Sequence, residues 1–292
     1  MDLLKWFKKR DEKAQNPIQP TSVETVNKEP RKLQETVLQE TWRESDEVFK
    51  KISEYLSTDK EEGGPRYAAI KELLAQHPQF NINYMPSNAQ GNLLSEYMRG
   101  RYWSEELNEV VDFLLNMGVS ADGSGIDTQG NLVKTHMSNN PLVIATHDQW
   151  VHPNHEVIKK LIDHGAVTDE LKKNPEPEVL DHLLGCFEVD SVNDLLKAGI
   201  RPTNEQLNMF VQTLSYGQRD DCTAQRRKDC TDEKAQEIIQ NLVRMGAHID
   251  TSSAQWNNVA GIDKNPQYLE MCKNAQRQYE RAALDNNLGY RR

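Results

Sequence analysis

Four glycines constrain this chain more than any other feature. Gly118, Gly165, Gly199 and Gly246 each close the same run of residues. Four positions before each glycine stands Leu114, Leu161, Leu195 or Leu242, and three before stands Leu115, Ile162, Leu196 or Val243. One helical turn earlier come Val110-Val111, Val157-Ile158, Ser191-Val192 and Ile238-Ile239. A fifth run, Ala69-Ile70 and Leu73-Leu74, leads to His77 instead of glycine. Ser191 is the one polar residue in the whole set. Apolar pairs four apart make one buried stripe on a helix. A glycine just beyond supplies the left-handed residue that closes a helix C-terminus. His77 must adopt that conformation less comfortably or end its helix differently before Pro78. The anchors lie 41, 47, 34 and 47 residues apart. One helical unit with insertions of varying size in its loops accounts for that spacing.

This repeat explains the composition. Only 37% of the 292 residues are hydrophobic. A single thick core of this length needs more, and length alone suggests about two domains. An elongated stack with a thin, repeated core needs less. The net charge is −10, from 35 Lys and Arg against 45 Asp and Glu. Residues 1–40 carry a net +1, which leaves −11 on residues 41–292. That balance disfavours direct nucleic-acid binding, which needs clustered cations. It favours encounter with a basic protein partner.

The first ten residues contain Leu3, Leu4, Trp6 and Phe7 among four basic side chains. They are too short for a secretory signal, and no apolar run approaches the ~18 residues of a membrane span. A cytoplasmic address follows as the expectation. The decapeptide reads as part of a disordered tail, the alternative being a weak amphipathic anchor on a membrane surface. Pro17, Pro20 and Pro30 sit among polar residues and predict a flexible linker. Phe49, Ile52 and Leu56 predict a helix that Gly63-Gly64-Pro65 breaks. Cys186, Cys222, Cys230 and Cys272 are sparse, irregular and expected to be free thiols.

The units resemble ankyrin repeats. Asn140-Pro141-Leu142-Val143-Ile144-Ala145 is similar to the T-P-L-H-x-A opening of a first helix. Asn154 to Ala166 looks like the second helix and its glycine stop, and Gly246-Ala247-His248-Ile249-Asp250 repeats that stop. Asp127-Thr128-Gln129-Gly130-Asn131 and Gln90-Gly91-Asn92-Leu93-Leu94 resemble the turn that leads into a unit. The proline survives in one unit only, and extra residues separate Asn131 from Asn140. The resemblance implies an all-α, ankyrin-type helical repeat solenoid over residues 41–284. A disordered tail precedes it at 1–40 and a short tail follows at 285–292. Six units are expected, at about 42–80, 81–122, 123–170, 171–204, 205–250 and 251–284. The last pairs a short segment at Ser253–Ala260 with a helix near Pro266–Ala283 that is polar on most faces, as a cap requires.

The implied function is protein–protein interaction without catalysis or cofactor, and one such role is a toxin-neutralising immunity protein. A regulatory or host-directed scaffold is the alternative. No nucleophile elbow, phosphate loop or H-E-x-x-H motif is present. His147, His152 and His155 form a remote metal-site candidate, and Cys222, Cys230 and His248 a weaker one. Aromatic residues near the ends of first helices are the better candidates. Tyr102, Trp103, Trp150 and Tyr216, with Arg99, Arg101 and His147, are proposed to contact the partner, since such residues anchor interfaces. The competing reading has the aromatics plug the ends of the core. Residues 217–232 form a charged insert, read as a long loop or a helix extension.

Overall fold

The computed structural model describes residues 30–57, 66–101, 106–147, 153–173, 177–216, 230–248 and 266–289. The chain divides into two units, Met1–Thr41 and Trp42–Arg292. In the first, residues 30–41 are helical. Helix α1 (Pro30–Ser57) therefore begins before the expected end of the tail at residue 40. Proline is well placed in a first turn, and Leu33, Val37 and Leu38 recur at helical spacing.

The described residues are predominantly helical. After α1 come α2 (Arg66–Gln76), α3 (Leu93–Arg101) and α4 (Leu107–Asn116). Strands β1 (Gly125–Ile126) and β2 (Leu132–Val133) form an antiparallel hairpin, followed by a one-turn 3-10 helix at Met137–Asn139. Then come α5 (Pro141–His147), α6 (His155–Asp163), the short α7 (Asp169–Lys173), α8 (Pro177–Gly185) and α9 (Val189–Lys197). Helices α10 (Asn204–Tyr216), α11 (Asp232–Arg244) and α12 (Pro266–Gly289) complete the described elements. The last helix runs past the expected boundary at 284. The segment Ser253–Ala260 and most of the charged insert, 217–229, lie outside the described residues.

The helices of the second unit pack in two rows. One row runs α3, α5, α8, α10, and the other runs α4, α6, α9, α11, each helix against the next. Partners within a pair also touch: α3 with α4, α5 with α6, α8 with α9, α10 with α11. Helix α12 closes on both α10 and α11. The core lies between the rows, where Leu114, Leu161, Leu195 and Leu242 are fully buried. Upstream, Tyr67 of α2 stacks on Phe113 of α4 at 4.6 Å, and Arg66 pairs with Glu106.

The four glycine closures share one geometry. Each glycine has positive φ, between 87° and 108°. Its N–H donates to the carbonyl three residues back, and the next N–H donates to the carbonyl five back. For Gly165 these bonds are Gly165 N to Ile162 O at 3.0 Å and Ala166 N to Leu161 O at 2.9 Å. This is the double closure that satisfies the last carbonyls of a helix. The residue after each glycine, Val119, Ala166, Ile200 or Ala247, then drops into the core. His77 takes the other course. Its N–H bonds to Leu73 O and Leu74 O, and its φ is not positive.

A fifth closure appears where the glycine pattern gives no sign of one. Between α8 and α9, Phe187 adopts φ 59°. Phe187 N donates to Leu184 O at 3.3 Å and Glu188 N donates to Leu183 O at 3.0 Å. The buried Phe187 ring lies 6.1 Å from Phe210.

Polar contacts tie the second row together. Lys160 of α6 reaches Asp112 of α4 at 2.7 Å, and Asn108 reaches Glu156 at 3.2 Å. Asn193 of α9 bonds both Glu237 and Asn241 of α11, each at 2.7 Å. Ser191 now has a reason. His155 Nδ1 of α6 lies 3.1 Å from its hydroxyl. The polar exception in the apolar stripe is the partner of a histidine on the neighbouring helix.

Glu188 precedes α9, and the helix N-terminus favours its ionised form. Burial nevertheless pushes its pKa above the ordinary value, with His155 opposing the rise. A carboxyl raised in the folded state binds its proton more tightly there than in the unfolded chain, so it costs stability above the unfolded pKa. Glu188→Gln is expected to raise the melting temperature at pH 7, with the gain shrinking as pH falls through the ordinary Glu range. Melting curves at pH 4 and pH 7 check this; a gain that does not vary with pH refutes it.

Candidate protein-interaction surface

The described part of the surface is built on two asparagines that open first-row helices. Asn92 Oδ1 accepts from Leu94 N and Ser95 N, both at 3.1 Å, and so caps α3. Its Nδ2 donates to Ser120 O at 2.8 Å and Ser124 O at 3.1 Å. Asn140 does the same one unit on, accepting from Leu142 N at 2.8 Å and donating to Ala166 O at 3.2 Å. Each cap therefore holds the loop that follows the second helix of a pair. Asn204 Oδ1 likewise accepts from His248 N at 2.7 Å.

These loops carry the hairpin. Ile126 N donates to Asn83 O at 2.7 Å, and Met85 N donates to Ile126 O at 2.9 Å, which joins β1 to the segment before α3. The turn is set by Asp127, whose Oδ1 accepts from Gln129 N and Asn131 N at 2.8 Å. Hydrogen bonds from Asn131 hold this carboxyl below the usual range. Asp122 sits at the base of the hairpin. Burial works to raise its pKa, but bonds from Ser124 and Ser120 outweigh it and keep the carboxyl ionised.

At the tip, Leu132 is 65% exposed. It is the most exposed of the four large apolar residues found on the described surface. Beside the hairpin lies a groove of about 300 Å³, lined in part by Lys134, Met137, Thr168, Glu170 and Leu171. Lys134 bridges to Glu170 of α7 at 3.7 Å. Sequence reasoning missed Leu132. Its only signal was an apolar residue directly after the Asp127–Asn131 turn.

The predicted contact residues are placed unevenly. Arg99 is half-buried on α3, where it donates to Asn139 Oδ1 at 3.1 Å and pairs with Glu96 at 3.5 Å. It links two elements of this chain. Arg101, His147 and Tyr216 are the last residues of α3, α5 and α10. All three helices belong to the first row, but their side chains lie outside the description. Tyr102, Trp103 and Trp150 also lie outside the described residues.

His152, Cys222 and the His147 side chain are not described. His155 uses Nδ1 on Ser191, and its Nε2 lies 3.9 Å from Asp194. Among the described residues no three His, Cys, Asp or Glu side chains group as a metal site. The Ser191–His155–Asp194 set has the residue types of a hydrolase. However, Ser191 is fully buried within α9, out of reach of a substrate. Cys186 and Cys272 are free thiols, and Cys230 is buried. Burial pushes the Cys186 and Cys272 thiols up to about 12, so neither is an activated thiolate. Residues 1–10 lie outside the description, and among the described residues no helix is long and apolar enough to cross a membrane.

No family model, curated protein or solved structure matches the chain. The surface must therefore be read from its own chemistry. It offers an exposed leucine beside a braced turn and a groove of mixed polar and apolar lining, where Asp122, Asp169 and Glu170 outnumber Lys134.

Proposed function

We propose that the chain is a protein-binding module of ankyrin type, whose helix pairs stack as a solenoid and present one face to a basic protein partner. The observation that carries this reading is the repeated closure. Four helices end in the same glycine geometry, and their pairs pack in series. A stack of this kind holds its loops in place before binding, so little ordering entropy is lost on contact. Leu132 at the hairpin tip serves as an apolar anchor, and the aromatic residues at the ends of first helices extend the contact. The net −11 on residues 41–292 steers a basic partner to it. Neutralising a toxin in the cytoplasm, as an immunity protein does, suits such a surface.

Leu132→Asp is expected to weaken partner binding by about 2 kcal/mol, roughly 30-fold, with an unchanged melting temperature. The partner is the basic protein that co-purifies with full-length chain, and titration calorimetry at low and high salt reads the affinity. Loss of stability without loss of binding would show that Leu132 supports the hairpin instead. An eluate with no dominant basic protein would remove the proposed function.

A further inference from the structure

Helix α12 is longer than the surface it covers. It has 24 residues against 13 in α11, or about 36 Å against about 20 Å. Tyr268, Cys272 and Ala275 are its buried residues. They fall on one face, and at 100° per residue Tyr279, Ala282 and Ala283 continue that face. Tyr279 reaches the segment that follows α11, with its ring 6.3 Å from His248. Ala282, Ala283 and Leu284 are exposed. Tyr279 is one of the four exposed large apolar side chains on the described surface, whereas Leu284, another, lies on the opposite face of α12. Between α11 and this distal half lies a groove of about 480 Å³ whose α12 wall includes Ala275, Tyr279, Ala282 and Ala283. The stripe that packs α12 onto α11 thus continues beyond its partner.

We propose that this groove seats the α12 of a second copy, antiparallel, as a two-fold self-association face. Charge selects this occupant. A chain of net −10 repels its own copies over most of its surface. Helix α12 is balanced: Lys273, Arg277 and Arg281 offset Glu270, Glu280 and Asp285. Two copies meet there with little net repulsion. Shape points the same way. A two-fold contact must be self-complementary, and this face offers both a partly exposed ring, Tyr279, and the small, exposed Ala282 and Ala283 that leave room for one. Antiparallel pairing also opposes the two helix dipoles favourably. The contact is small, so a dissociation constant on the order of 10–100 μM is expected. Pairing joins two binding surfaces into a bivalent unit.

Sedimentation velocity of the full chain over a concentration series tests this, and no binding partner enters the measurement. The wild type is expected to shift from monomer to dimer. Ala283→Arg is expected to remain monomeric while its melting temperature is unchanged. Under mild oxidation Ala282→Cys is expected to form disulfide-linked dimer several-fold faster than Lys273→Cys, which lies off the stripe. A wild type that stays monomeric throughout overturns the proposal and leaves the groove to a different chain. A dimer that persists in Ala283→Arg, with equal cross-linking of the two cysteine variants, also overturns it, because self-association then uses another surface.

Discussion

Asn92→Ala is expected to lower the stability of the folded chain by about 2–5 kcal/mol, as read by denaturant unfolding. Two losses combine. Loss of the cap on α3 costs about 1–2 kcal/mol. The bonds to Ser120 O and Ser124 O also vanish, and they lie where Asn92 is fully buried. Carbonyls left short of a donor add about 1–3 kcal/mol. Asn92→Asp separates the two roles. The carboxylate still accepts from Leu94 N and Ser95 N, so the cap survives. It has no N–H to offer Ser120 and Ser124, and it faces both carbonyls with negative charge. Its folded pKa is then raised above the unfolded value. The cost of the charge is absent at low pH, grows as pH rises through the ordinary Asp range and is complete above the folded pKa. The Asn92→Asp deficit should shrink on acidification while the Asn92→Ala deficit does not. Equal pH behaviour in both variants would mean that the clamp on the 120–124 loop contributes little, and that Asn92 is only a helix cap.

The same residue shows how much of the fold could be read from sequence. Local rules were visible. A glycine after paired apolar residues is sufficient for the closures at 118, 165, 199 and 246, because the left-handed turn and its two hydrogen bonds span six residues. Asn92 and Asn140 were visible as openings of helices for the same reason. Their second function was not, because the carbonyls they hold lie 26–32 residues ahead. Ser191 looked like an imperfection in the stripe until the neighbouring helix brought His155 to it. Arg99 looked like a free cation for a partner, yet it is bonded to Asn139 and Glu96. Short α7 has too few residues to show a period, and α12 continues through Asp285, Asn286 and Asn287, poor helix formers that mark a helix end in the sequence pattern. Of the aromatic residues proposed as contacts, Tyr216 is the last residue of α10, and Tyr102, Trp103 and Trp150 lie outside the described residues.

Phe187 carries the second large effect. Phe187→Ala is expected to cost about 3–5 kcal/mol, the usual range for emptying a buried aromatic site. Phe187→Gly removes the same ring but frees the backbone. A non-glycine residue in the left-handed region carries about 1–2 kcal/mol of strain. The glycine variant should therefore be more stable than the alanine variant by about 1 kcal/mol, though still less stable than wild type. Magnitude decides the native choice: packing of the ring against Phe210 outweighs the strain at φ 59°. The other four closures have no comparable contact to gain. A Cβ at Gly118, Gly165 or Gly246 would meet nothing within 4 Å, and one at Gly199 would meet only the Lys172 side chain, so strain decides, and glycine is preferred. Chemical denaturation of the two Phe187 variants checks the order. A glycine variant more stable than wild type would reverse it, and Phe187 would then be a residue kept at a cost to stability.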